Sequence, residues 1–154
     1  MAAKSNDSPL TDVAFFAGLP DTLLWHLGKI AEKREYAKGD VLFSVGEERQ
    51  IFGVVLTGAI TIEGEHKGTT VMLATLGAGE VIGEGVLLEE GAHGTLARVV
   101  EPTTLVLFKK EPLMKLLKDQ PALYAALVAK AARIINERIK RANAALLESA
   151  RRSK

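Results

Sequence analysis

The residues best placed to do chemistry fall in one run, Glu80-Val81-Ile82-Gly83-Glu84-Gly85-Val86-Leu87-Leu88-Glu89-Glu90-Gly91-Ala92-His93-Gly94-Thr95-Leu96-Ala97-Arg98-Val99-Val100. It reads as an apolar strand end, a Gly-Glu-Gly turn, one short helical turn, an acidic glycine-containing loop and a further strand. Glycines on both sides of Glu84 let backbone N–H groups approach a ligand closely, and a helix start beyond them adds partial positive charge, which together suit an anion. The same spacing also describes a purely structural corner, and spacing alone favours the corner. The three histidines, His26, His66 and His93, stand singly without paired-ligand spacing, there is no cysteine, and no nucleophile motif occurs. Neither a metal site nor catalysis is expected.

The scaffold holding this run is bounded by the length of 154 residues, which implies one domain with a real core, and by an ordinary 47% hydrophobic content. Without cysteine the fold rests on packing, which fits a reducing compartment. The opening residues lack the apolar run of a signal peptide, and no window is long and apolar enough to span a bilayer. A soluble, cytoplasmic protein is expected. Charge is uneven: from Glu111 onward ten Lys or Arg stand against four Asp or Glu, whereas residues 1–110 hold ten against fifteen. The basic end reads as a solvated helix face, with a surface for nucleic acid or anionic lipid as the alternative.

In chain order, residues 1–12 read as a loose polar tail and 13–39 as an N-terminal helical segment. Phe15 and Phe16 dock as a helical turn, and Pro20-Asp21 opens a helix whose core stripe is Leu23, Leu24, Leu27, Ile30 and Ala31, with Trp25 and His26 at its rim. Glycine-punctuated short strands follow over 40–110: Val41 to Ser44, Ile51 to Leu56, Ala59 to Glu63, Thr69 to Leu76 and Leu105 to Phe108. Thr57-Gly58 is read as the tight turn of a hairpin, and Glu101-Pro102-Thr103-Thr104 as a turn into the last strand. Regularly spaced strands of this kind indicate an antiparallel barrel or roll.

Residues 111–154 read as closing helices. Glu111-Pro112 enters a short amphipathic one, and Pro121 restarts a single helix to about Arg151, roughly 45 Å at 1.5 Å per residue. Tyr124, Val128, Ala131, Ile135, Ile139, Ala142 and Leu146 recur at steps of four and three, with Leu127 and Ile134 widening the face toward the roll. A long helix beside a small roll cannot bury such a stripe alone, so a parallel two-helix contact in a homodimer is expected. Arg133 to Glu137 and Glu137 to Arg141 are spaced for i,i+4 ion pairs.

The segments Gly39-Asp40-Val41-Leu42-Phe43, Leu56-Thr57-Gly58-Ala59-Ile60-Thr61-Ile62, Leu76 through Glu84 and Val100-Glu101-Pro102-Thr103-Thr104-Leu105 together resemble the cyclic-nucleotide-binding domain family, as in the effector domain of catabolite-activator proteins. The resemblance covers nearly the whole chain. It implies an α+β, mainly β fold: a β-roll (double-stranded jelly roll) with an N-terminal helix and two C-terminal helices, in one domain over 13–154. Residues 82–95 would be the phosphate-binding cassette. In that family the Gly-Glu glutamate bonds a ribose hydroxyl and an arginine about ten residues later pairs with the cyclic phosphate.

Gly83 and Glu84 carry over, with the backbone of Gly85 and Val86 as anion donors. The arginine does not. An ungapped count from Gly83-Glu84 puts Gly94 in its place, with Thr95 beside it; a loop one residue shorter, anchored on Arg98-Val99-Val100, puts His93 there. The second alignment is preferred, because His93, Thr95, Ala97 and Val99 then share the interior strand face and Arg98 points away. Losing a buried, charge-assisted phosphate partner costs about 2–5 kcal/mol, and a histidine with an ordinary pKa near ~6.5 replaces it weakly at neutral pH.

Two non-enzymatic functions follow. One is a degenerate, dimeric adaptor that binds a protein partner of unknown identity. The other is a stand-alone sensor taking cAMP, cGMP or a cyclic dinucleotide in the cassette and signalling through the last helix. Specific DNA reading is not expected, since no helix-turn-helix follows that helix.

Overall fold

A computed structural model describes residues 10–153. The first nine residues of the expected loose tail lie outside that range, but its end is not loose: Leu10 is fully buried. A leucine beside Phe15 and Phe16 removes more apolar surface from water by docking than by staying solvated. Residues Ala14–Phe16 form a 3-10 turn, and α1 spans Asp21–Ile30, with Asp21 in its first turn. Leu27 is buried on α1, whereas Trp25 is half exposed with the Lys29 ammonium 3.5 Å from its ring centroid.

Six strands follow: β1 (Glu32–Tyr36), β2 (Val41–Phe43), β3 (Ile51–His66), β4 (Thr69–Leu76), β5 (Val81–Ile82) and β6 (Leu96–Lys109). A four-residue helix α2 (Gly85–Leu88) separates β5 from β6, and α3 (Lys110–Asp119) and α4 (Pro121–Arg152) close the chain. The sheet is antiparallel in the order β1-β6-β3-β4, with β2 on β6 and β5 on β3. This is the α+β, mainly β roll with one N-terminal and two C-terminal helices.

Three local expectations are corrected. The segment 13–39 is not helical throughout, because Glu32–Tyr36 pairs with β6. Its charged, largely exposed side chains suit an edge strand and hide the apolar alternation by which a strand is recognised. Thr57-Gly58 is not a hairpin turn: β3 runs unbroken from Ile51 to His66. Gly58 lies at φ +100°, and a Cβ there would run into Thr103 and the Pro102 carbonyl. Correspondingly, Glu101-Pro102-Thr103-Thr104 lies inside a continuous β6. The register between the two strands shifts at Val55/Thr57, Thr57/Ala59 and Ala59/Ile60, so both stay paired while bending through bulges. The Thr103 hydroxyl stitches the bend, accepting from the Ala59 N–H at 3.2 Å and donating to the Glu101 carbonyl at 2.8 Å.

That bend divides the core. One cluster, containing Phe16, Phe52, Phe108, Leu113, Leu123 and Leu127, joins the helices to the outer face of the roll. The other fills the roll itself with Phe43, Val55, Ile60, Leu76, Ala97 and Leu105. Burying each large side chain stabilises the fold by about 1.5–3 kcal/mol, so both compartments contribute substantially. The α4 helix, 32 residues and therefore about 48 Å long, is buried along its first turns at Leu123, Leu127 and Ala131. Beyond Lys140 every described residue is exposed. None of the described helices is long and apolar enough to cross a membrane.

Candidate functional site

The cassette starts where β5 pairs with β3, Ile82 opposite Gly53. Gly83 follows at φ +73°, where a Cβ would collide with the Ile51 carbonyl oxygen. A side chain is excluded there by both conformation and space. The chain then turns into α2, whose Val86 N–H donates to the Gly83 carbonyl at 3.1 Å. Val86 is therefore corrected as an anion donor: its N–H is used inside the turn, and its side chain is buried in the helical cluster.

The far end of the cassette is held by the loop between β2 and β3. The Gly46 N–H donates to the His93 carbonyl at 2.9 Å, the His93 N–H to the Glu47 carbonyl at 2.8 Å, and the Arg49 N–H to the Gly91 carbonyl at 3.1 Å. These bonds place Arg49 over the cassette turn. Its guanidinium occupies the space that a Cβ on Gly85 would fill, and it pairs with Glu89 at 3.1 Å.

The third wall is α4. Tyr124 donates its hydroxyl to the Leu87 carbonyl at 2.8 Å. Arg138 donates to Glu84 at 3.1 Å and to the Val81 carbonyl at 3.0 Å, and Arg141 pairs with Glu80 at 2.7 Å. The i,i+4 pairs expected along this helix give way to these longer-range contacts: Arg141 is drawn to the cassette, and Glu137 pairs with Lys140 at 3.1 Å. The expected dimer stripe is split as well. Ala131 is fully buried, Val128 packs on the helical core, and Ile135 faces the site, leaving Ile139, Ala142 and Leu146 exposed.

Between these walls lies a cavity of about 270 Å³, bordered by Gly83, Glu84, Gly85, His93, Gly94 and Thr95 together with Phe43, Arg49, Ile135 and Arg138. Six of the seven cassette residues singled out from sequence thus converge, Val86 excepted. Ala97 and Val99 are buried while Arg98 turns outward to Glu63 at 2.9 Å, as the strand alternation requires. His93 is only 7% exposed. Its ring stacks on Phe43 with centroids 3.6 Å apart and 6° between planes, and its Nε2 has no hydrogen-bond partner among the described residues. Burial and then the nearby Arg49 charge hold its pKa below the usual histidine value, against the opposing pull of Glu47 and Glu84.

Arg49 and Arg138 were not picked out from sequence. Arg138 had a signal: it continues the inward face through Leu127, Ala131 and Ile135 at helical steps, so the apolar stripe becomes basic where it crosses the cassette. Arg49 had none, because its place depends on pairing between segments far apart in the chain.

A roll with a polar-lined cavity at the meeting of a glycine turn and a long helix has the form of a small-ligand regulatory domain. The model of the cyclic nucleotide-binding domain family matches residues 33–120, more than half of the chain, and the protein belongs to that family. The Cyclic AMP receptor protein of Thermus thermophilus is 33% identical over 107 residues, 69% of this chain and 50% of that protein; the match spans half of that relative's length. A cyclic nucleotide-binding domain from Methylobacillus flagellatus has the same fold, with a TM-score of 0.76 at 17% identity over 87% of this chain and 76% of that one. The c-di-GMP-responsive global regulator CLP of Xanthomonas campestris superposes with a TM-score of 0.62 at 19% identity, covering 80% and 63%.

Proposed function

We propose that this regulatory domain is a non-enzymatic, cytoplasmic ligand sensor, and that its ligand is a cyclic mononucleotide. The observation carrying this reading is the Glu84–Arg138 bridge. The cassette glutamate, which in the family bonds the ribose, is held by a residue of α4, so a ligand that engages Glu84 must also act on the helix. Occupancy and helix position then share one contact, which is what a coupling free energy between site and output requires. From sequence, the missing cassette arginine favours an adaptor; the two arginines bordering the cavity supply cationic character from outside the cassette and shift the balance to a sensor.

Size supports the smaller ligand. A volume of about 270 Å³ lies just below the ~300–1,000 Å³ usual for ligand sites, which suits a mononucleotide better than a dinucleotide. The relative named as a cyclic AMP receptor agrees with that choice, and the c-di-GMP-responsive regulator represents the alternative. Calorimetric titration with cAMP, cGMP and c-di-GMP tests the reading. Saturable binding of a mononucleotide, lost in Glu84→Ala, is the expected result; absence of heat with all three returns the domain to the adaptor reading.

That second reading has its own support in the free end of α4. Ile139, Leu146 and Leu147 are exposed there, and a second copy of the chain is the occupant we propose for Ile139 and Leu146, whose spacing continues the heptad-like stripe. Sensor and homodimer are compatible, since the cassette contacts end at Arg141.

A further inference from the structure

The positions at which the resemblance places a phosphate-binding arginine hold His93, Gly94 and Thr95. We propose that Arg49 supplies the missing charge: it is the residue of this cavity that pairs with a phosphodiester monoanion, reaching it from the loop between β2 and β3 rather than from the cassette. This assignment rests on the ligand-sensing reading above and adds to it the residue that holds the anion.

Arg49 is positioned before any ligand arrives. The backbone bonds that tie Gly46, Glu47 and Arg49 to the residues 91–93 fix the loop against the cassette, and the side chain is only 18% exposed. Its guanidinium lies where Gly85 has no Cβ, so the second glycine of Gly-Glu-Gly makes room for this arginine. A planar fork with several N–H donors is matched to phosphate oxygens in a way a lysine or a histidine is not.

It is also the available cation. Arg138 has two of its three guanidinium nitrogens committed, Nη1 to a carboxylate only 21% exposed and Nη2 to the Val81 carbonyl, and only its Nε is without a partner among the described residues, so it cannot offer an anion a two-toothed grip without giving up one of those bonds. Arg49 is held by Glu89, which is 65% exposed. That pair contributes little, and Glu89 can swing into solvent at small cost. Exchange of one anion for another leaves the charge balance of the cavity unchanged. Arg98 is excluded because it points outward to Glu63. His93 is a second, independent indication of a ligand: it borders the same cavity, is more than nine-tenths buried, and its Nε2 has no partner among the described residues. A phosphate oxygen or ribose hydroxyl would satisfy it.

The test titrates cAMP, cGMP and inorganic phosphate into the wild-type chain and into Arg49→Gln, Gly85→Ala and Glu89→Gln, following heat and the Arg49 side-chain Nε–H NMR signal. Backbone amide spectra establish that each variant is folded. Arg49→Gln is expected to bind the cyclic nucleotide about 30-fold more weakly or worse. Gly85→Ala, which keeps the charge but pushes the guanidinium aside, weakens binding in the same direction. Glu89→Gln tightens it roughly 2- to 5-fold, a gain that a damaged fold cannot produce. If the wild type binds and Arg49→Gln binds equally well, Arg49 is overturned while the sensor stands. If phosphate shifts the Arg49 signal but neither nucleotide binds, the anion site stands and the nucleotide reading falls. No binding and no shift with any probe overturns both.

Discussion

Arg138 of α4 and Glu84 of the cassette, 54 positions apart in sequence, meet at 3.1 Å with both side chains about one-fifth exposed. The pair joins the long helix to the turn that defines the site, and Arg138 adds a second bond to the Val81 carbonyl on the preceding strand.

Removing Arg138 leaves Glu84 without its partner in a place that water reaches poorly. We expect Arg138→Ala to lower stability by about 1–2 kcal/mol, a value reduced from the fully buried case because both groups retain some solvent. Urea unfolding of Arg138→Ala, Glu84→Gln and the double variant checks it: the double should cost clearly less than the sum. Strict additivity would show that the two side chains are not coupled.

Gly83 is predicted to tolerate no side chain. Gly83→Ala forces a Cβ against the Ile51 carbonyl at a positive φ and is expected to cost at least ~2 kcal/mol. Gly94, where a Cβ would meet nothing within 4 Å and φ is not positive, serves as the control. Gly94→Ala should unfold within about 0.5 kcal/mol of wild type.

His93 gives the fold a pH dependence of definite sign. Its folded pKa lies below the ordinary value, so on acidification the unfolded chain takes up the proton first, near pH ~6.5. Stability contributed by neutral His93 is therefore complete above that pH, declines as the pH falls toward the folded pKa, and levels off below it. Urea midpoints measured from pH 7.5 to 5.5 should fall more in the wild type than in His93→Gln, and equal slopes would refute the assignment. A bound phosphate would favour the imidazolium, so cAMP affinity should rise over the same interval in the wild type alone.

The exposed end of α4 predicts an assembly change. Ile139→Asp combined with Leu146→Asp should give a monomer by light scattering where the wild type is expected to give a dimer, with an unchanged far-ultraviolet spectrum. An unaltered mass would remove this face as the dimer contact. Because both residues lie outside the cavity lining, nucleotide titrations of the same variant separate assembly from binding.

The roll, the glycine turn at Gly83 and the long helix are legible in the sequence because each is written in local signals: alternating apolar residues, glycine punctuation and a 3.6-residue stripe. What local signals leave open is which segments pair. Thr57-Gly58 offers the same chemistry to a tight turn and to a bulge, and only the partner strand bringing Thr103 against Gly58 decides for the bulge. β1 is hidden because an edge strand carries charge where a central one carries valine. Arg49 depends on a tie between the β2–β3 loop and residues 91–93. Before that tie is known, an arginine after Gly46-Glu47-Glu48 is one polar loop residue among several. His93 was visible as a candidate from the alternation through Ala97 and Val99, but its stack on Phe43 was not.

The pairing of β3 with β6, from Ile51 opposite Lys109 to Glu63 opposite Leu96, has a further effect on when the site can exist. Every cassette residue lies within the loop that this pairing closes, and Arg49 lies beyond its other end, just before Ile51. As the chain is made from the N-terminus, the cassette and the β2–β3 loop precede the strand β6 that pairs with β2 and β3, and Arg138 must still follow. Contacts this distant in sequence are the slow, late ones. A ligand present during synthesis therefore meets a binding site only after nearly the whole domain has left the ribosome, and it can stabilise the finished fold but not guide its early steps.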